Sequence, residues 1–159
     1  MKVIKKMTAV LAITGLLFVS CDKAKEKNED FKVMKIELAD GNTVNYKMST
    51  DGSLSFDDWD GFNTANNELR EIENLDLETS TSRIENLSGS IASLRGTIPS
   101  WLKNEEVMED IDDIEEEYKK LLAEKNEPAK NVKQNLEELI EKFDDLREEL
   151  QETIDKYKS

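Results

Sequence analysis

Histidine is missing from this 159-residue chain, and with it the commonest general base, proton shuttle and imidazole metal ligand. Cysteine occurs once, at position 21, which excludes a disulfide within the chain and a zinc site built on several thiolates. The six glycines form no Gly-x-Gly-x-x-Gly run or other phosphate-cradling loop. Positive charge is scarce as well, with 22 Lys and Arg against 36 Asp and Glu. So acidic a surface repels phosphate, which argues against nucleic acid as a partner. Proline occurs only at positions 99 and 128, and the wealth of Glu, Lys, Asp and Leu favours helix.

The one long uncharged apolar run stands near the start, from Met7 to Val19, behind the basic residues Lys2, Lys5 and Lys6. A membrane-spanning helix needs about 20 apolar residues, so this run is too short to span and has the form of a secretory signal. It ends in Phe18-Val19-Ser20-Cys21, with Phe18 where an ordinary signal peptidase site wants a small residue. The segment resembles the lipobox of bacterial lipoproteins, with cleavage before Cys21 and acylation of the new N-terminal cysteine. Phe18 stands where that family usually has leucine. The resemblance covers residues 1–22 and implies lipidation of Cys21, a membrane attached through the lipid, and a place in the bacterial cell envelope. Asp22 at the second position leaves inner-membrane retention and export to the outer membrane or surface both open; the outer membrane is the favoured destination, with its periplasmic or surface side unassigned. Several acyl chains on one cysteine give stable anchoring, which a single chain does not.

Setting aside residues 1–20 and their three lysines leaves 19 basic against 36 acidic side chains, a formal net of −17. Residues 21–31 hold the cysteine and a charged stretch with almost nothing to bury, read as a flexible tether. From 32 to 56 the character changes. Met34, Ile36 and Leu38 alternate with other residues, as do Val44, Tyr46 and Met48, and Asp40-Gly41 and Asp51-Gly52 punctuate the runs. A three-residue Asp40-Gly41-Asn42 loop, with Asn42 left-handed, would pair Leu38 with Val44, Ile36 with Tyr46 and Met34 with Met48. The same loop length at Asp51-Gly52-Ser53 sets Met48 opposite Phe56. The expectation is a β-hairpin, with a short third strand, that must lean on a helix or else stay partly disordered.

Helical periodicity takes over across 57–159, with helices expected at about 57–75, 82–97, 104–126 and 128–157. Ser55 with Asp58, and Ser82 with Glu85, read as capping boxes, and Leu54 is placed to staple against Trp59. The stripes are Trp59, Phe62, Leu69 and Ile72; then Ile84, Leu87, Ile91, Leu94 and Ile98; then Val107, Ile111, Ile114, Tyr118 and Leu121. The last runs through Val132, Leu136, Leu139, Phe143, Leu146, Leu150 and Tyr157. Gly89, Ser90 and Ala92 suit a close helix approach. Pro99 ends the second helix, Asn104 caps the third, and Pro128 suits the first position of the fourth. Met108, Leu122, Ile140 and Ile154 widen the last stripes beyond a two-in-seven seam. The fold class is therefore mainly α, an antiparallel bundle of about four helices preceded by a short β-hairpin, in preference to a self-associating coiled coil.

Few residues suggest chemistry. The acidic run from Glu105 to Glu117 could hold a hard cation such as calcium, although its acids alternate with an apolar stripe and so read first as a solvated helix face. Asp57-Asp58-Trp59-Asp60-Gly61 has a faint likeness to a calcium loop, but Phe56 stands where the first ligand belongs. A glycosidase would need two carboxylates facing each other across a cleft, which no spacing here specifies. Trp59, Phe62, Trp101 and Phe143 lie on or beside apolar stripes and are read as core. No catalytic residue, metal ligand or cofactor is assigned. The expected function is that of a small, non-enzymatic, membrane-anchored envelope lipoprotein. It would act through contact with another envelope protein or as an accessory module, as a monomer or small homo-oligomer.

Overall fold

The structure is a computed structural model that describes residues 31–50, 52–73 and 83–158. Residues 1–30, which include Cys21, the expected signal segment and nearly all of the expected tether, lie outside the described residues, as do Asp51 and the expected cap Ser82. The chain is mainly helical, with an antiparallel sheet followed by four helices among the described residues.

Alternation at period two builds the sheet. Strands β1 (Lys32–Glu37), β2 (Thr43–Met48) and β3 (Leu54–Phe56) lie in the order β1-β2-β3. Ile36, Tyr46, Leu54 and Phe56 are buried on one face, with Met34, Leu38, Val44 and Met48 packed partly against the core. Loop length and apolar face are as the alternation predicts, but the register is not. Ile36 pairs with Val44 and Met34 with Tyr46, and Phe56 lies opposite Tyr46 rather than Met48. Each loop begins one residue earlier than expected. Leu38 N–H donates to Asn42 O (2.7 Å) around Ala39-Asp40-Gly41, and Ser49 N–H donates to Ser53 O (2.9 Å) around 50–52. In a three-residue loop of this kind the left-handed position is the last of the three. Gly41 (φ 82°) and Gly52 (φ 86°) fill it, and among the described residues no other residue type has positive φ. Asn42 instead donates its backbone N–H to Asp40 Oδ1 (2.9 Å). The shift is two residues, so the buried face is preserved.

The first helix, α1 (Asp60–Glu73), starts later than the capping-box reading placed it. Ser55 is the middle residue of β3, opposite Lys47. Asn63 ties the strand to the helix instead. Its Oδ1 accepts from Phe56 N–H (3.0 Å) and its Nδ2 donates to Phe56 C=O (2.6 Å). Asp58 accepts from Trp101 Nε1 (3.2 Å), and Asp57 pairs with Lys47 (2.6 Å).

Helix α2 spans Leu87–Thr97, behind a short helical turn at Arg83 and Ile84. Pro99 holds Ile98 extended (ψ 128°), which ends it as expected. α3 (Glu105–Glu124) is capped by Asn104, whose side chain accepts from Val107 N–H (2.7 Å). α4 (Ala129–Lys156) has Pro128 as its N-cap, one position before the expected first helical place. The apolar stripes of α3 and α4 are buried as read, with two adjustments at the far end. Ile154 is buried, while Tyr157 follows the helix and is 38% exposed. Its hydroxyl donates to Trp101 O (2.8 Å).

Consecutive helices run antiparallel. Asn104, before α3, donates to Thr153 near the end of α4 (2.8 Å), and Tyr118 of α3 donates to Ile84 O ahead of α2 (2.8 Å). α1 meets α2 through Gly61, not through Gly89, which has nothing within 4 Å of where a Cβ would sit. A Cβ on Gly61 would come within 2.7 Å of the Ser93 and Thr97 hydroxyls and 3.0 Å of the Ser93 backbone carbon. Ser90, from the expected small-residue group, is buried and donates to Glu68 (2.6 Å), whereas Ala92 is exposed.

Two stability predictions follow from this packing. Gly61→Val should lower the unfolding free energy by about 1–3 kcal/mol in urea denaturation, because overpacking against Ser93 outweighs the gain in helix propensity. Tyr46 is fully buried and, among the described residues, its hydroxyl has no hydrogen-bond partner. Tyr46→Phe, which keeps the ring and removes the orphaned group, should therefore raise stability by about 1 kcal/mol in the same assay.

Candidate functional site

Cys21, the only site residue expected from sequence, lies outside the described residues, so its surroundings are not part of this geometry. The other sequence candidates can be placed. Along α3 the acids stand on the exposed and half-buried faces while Val107, Ile111, Ile114, Tyr118 and Leu121 are buried beneath them. Cations from neighbouring helices answer several of these acids. Arg95 of α2 forms an ion pair with Asp112, Lys142 of α4 lies 3.1 Å from Asp113, and Lys120 of α3 bridges Glu117 (2.8 Å) to Glu138 of α4 (2.5 Å). Among the described residues no group of three or more Asp, Glu or Cys side chains is placed to hold a metal ion. The Asp57-to-Gly61 stretch does not form a ligand ring either: Asp57 and Asp58 turn to Lys47 and Trp101, and Gly61 packs on α2.

Along α3, Glu115 and Lys119 form an i,i+4 ion pair at 3.8 Å. Other cations make contacts of different spacing. Lys120 and Lys142 turn to the facing helix, and Lys156 lies 3.6 Å from Glu149. An exposed pair contributes only about 0–1 kcal/mol, so these contacts orient helices more than they stabilise them.

The aromatics are core, as read from their stripes. Trp59, Phe62 and Phe143 are fully buried, and Trp101 is 8% exposed. No aromatic among these four presents a free face for a ligand to stack upon.

What sequence reading did not anticipate is a polar cleft where β3, α1 and α4 meet. It has a volume of about 390 Å³, and Ser53, Arg70, Asp144, Arg147 and Gln151 are among its lining. A smaller hollow of about 180 Å³, sharing Ser53, Leu54 and Arg70, continues it past Asn63 and Asn67 to Phe31. Arg147 is held in place by Asn66, whose Oδ1 accepts from Nε (2.9 Å) and Nη2 (2.7 Å), by Asp144, and by the Phe143 ring 4.9 Å below the guanidinium. Three asparagines in α1 are poor helix formers, and that was the only signal in the chain that this face does something other than face water. The cleft offers hydrogen-bonding groups of both charges, Arg70 and Arg147 with Asp144 and Glu148.

Electrostatic strain concentrates at Asp110 on α3. Partial burial pushes its carboxyl up from the ordinary 3.8 to about 6, reinforced by the negative charges of Asp145, Glu149 and Asp113 and opposed by Lys142. Between these two values the folded chain binds more protons here than the unfolded one, so this group's contribution to stability falls as pH rises from about 4 to about 6. Asp110→Asn should consequently be more stable than the parent at pH 7, by about 1 kcal/mol once solvent screening is allowed for. The difference should vanish at pH 4, and paired urea denaturations at the two pH values measure it.

No protein-family model, no curated protein and no solved structure matches this chain.

Proposed function

We propose that the chain is a small lipid-anchored protein of the bacterial envelope, non-enzymatic, working through protein–protein contact or as an accessory structural module. The observation that carries this reading is the basic start Lys2, Lys5 and Lys6, the uncharged run Met7–Val19, and Ser20-Cys21 at its end. A lone cysteine in that position has a chemical use as an acylation site. Elsewhere in the chain it would be an odd thiol without a partner.

The folded part suits such a role. Every helix turns its apolar stripe inward, and among the described residues no helix is long and apolar enough to cross a membrane. A body carrying a formal net charge of −17 beyond residue 20 is repelled by anionic lipid, which favours standing off the bilayer on its charged tether. The polar cleft between β3, α1 and α4 and the outer face of the sheet are surfaces a partner could use. Phe31 (41% exposed) and Val33 (55%) are the large apolar side chains most open to contact there.

Metabolic labelling with a clickable fatty acid tests the anchor. The parent chain should carry label and partition with membranes, whereas Cys21→Ala should lose the label and accumulate as uncleaved precursor or soluble product. Label retained on the Cys21→Ala variant would overturn the reading.

A further inference from the structure

The sheet has two edges, and the fold treats them differently. β3 is three residues long, and the Asn63 carboxamide occupies both the N–H (3.0 Å) and the C=O (2.6 Å) of Phe56, standing where a next strand would. β1 is six residues long and, among the described residues, pairs with β2 alone. Its free backbone groups can be assigned from the antiparallel alternation. Leu38 N–H points to β2 and donates to Asn42 O, so Ile36 and Met34 also turn their peptide groups to β2. Val33, Lys35 and Glu37 therefore turn theirs outward. An open row of donors and acceptors of this kind is a template for another strand.

The side chains along β1 select what that strand can be. Two antiparallel copies of β1 must set outward-facing residues opposite outward-facing residues, which leaves few registers about a two-fold axis. A register centred on Lys35 puts two lysines face to face, which is unfavourable. Centring on Val33 or Met34 places Lys32 against Met34 or Ile36 on the apolar face. A register centred on Ile36 sets Lys35 opposite Glu37 twice, Ile36 beside Ile36, and Met34 beside Leu38. Met34 and Leu38 are both only partly buried in the single chain, and a partner strand would cover them.

We propose that β1 is a self-pairing edge, through which two copies of this chain join antiparallel about Ile36 into one continuous sheet held by two Lys35–Glu37 pairs. The contact needs no lipid anchor, and it stands or falls separately from the envelope reading.

Sedimentation velocity of the full-length chain in non-ionic detergent, over the micromolar range, tests it. The parent chain should show a concentration-dependent dimer. Lys35→Pro removes an outward N–H and no bond of the β1–β2 ladder, so it should give a monomer with an unchanged far-ultraviolet dichroism spectrum. Lys35→Glu should weaken the dimer by about tenfold, from converting two attractive cross-strand pairs to repulsive ones. Lys35→Glu combined with Glu37→Lys restores opposite charges across the axis and should return the affinity to near the parent value. A parent chain that stays monomeric overturns the proposal, as does a dimer indifferent to Lys35→Pro in a folded chain. Failure of the double charge swap to rescue Lys35→Glu overturns the register, and that test survives even if the proline variant does not fold.

Discussion

The sheet depends on one side chain. Phe56 ends β3 and meets Tyr46 of β2 at 6.5 Å between ring centroids, Trp59 at 5.8 Å, Phe62 of α1 at 5.3 Å and Trp101 at 6.0 Å. A small antiparallel sheet on its own is marginal in water, and this one acquires its stability by lying on the bundle through that ring. From Phe62 the contact continues to Phe143 of α4, stacked at 5.6 Å, so sheet, α1 and α4 share one apolar knot. Burying such rings contributes roughly 1.5–3 kcal/mol each, more than any ion pair on the surface. Polar bonds give the knot its direction. Trp59 donates to Leu94 O (3.1 Å), and Trp101 donates to Asp58 (3.2 Å) while its carbonyl receives Tyr157. The indole and phenol groups thus place α2, the 99–104 connection and the end of α4 around the same point.

Around this knot the charges are arranged by fold more than by helix. Acidic residues crowd both α3 and α4, and two such helices repel when packed side by side. Lys120 and Lys142 lie at the seam between them and reach across to Glu138 and Asp113, which offsets part of that repulsion. Arg95 does the same between α2 and α3, and Lys125 does so for Glu85. Asp110 is the residue left on the wrong side of this balance. Partial burial, with three carboxylates against one ammonium around it, raises its proton affinity.

Much of the architecture was legible because it is local. Val107, Ile111, Ile114, Tyr118 and Leu121 recur at helical spacing, Asn104 sits where a cap belongs, and Pro99 and Pro128 mark the breaks; each needs only its neighbours along the chain to act. The misreadings have a common cause in competition between local patterns. Ser55-Phe56-Asp57-Asp58 satisfies a capping box, and Leu54 and Phe56 satisfy strand alternation. Tertiary burial of Phe56 decides for the strand. In the loops, face was legible from period two, but register rested on which residue turns left-handed, and a glycine takes that position more readily than the asparagine beside it. The cleft was illegible for a different reason. Ser53, Arg70 and Arg147 come from distant parts of the sequence, and nothing along the chain says they meet.

The position of β1 gives the two proposals a physical connection. It is the first described strand, and only residues 22–31 separate it from Cys21. Attachment at that cysteine would confine every copy to one surface, with its open edge a short reach from the bilayer. Confinement raises effective concentration without adding any contact, and it matters most for weak associations. An edge contact of a few hydrogen bonds and two exposed ion pairs is weak, since most of its strength offsets the cost of bringing two bodies together. In dilute solution such a pair forms at micromolar protein or above. On a membrane the same pair would form at far lower copy number, so association would report the density of anchored chains. The strand most exposed to pairing thus follows directly on the segment that would gather its partners.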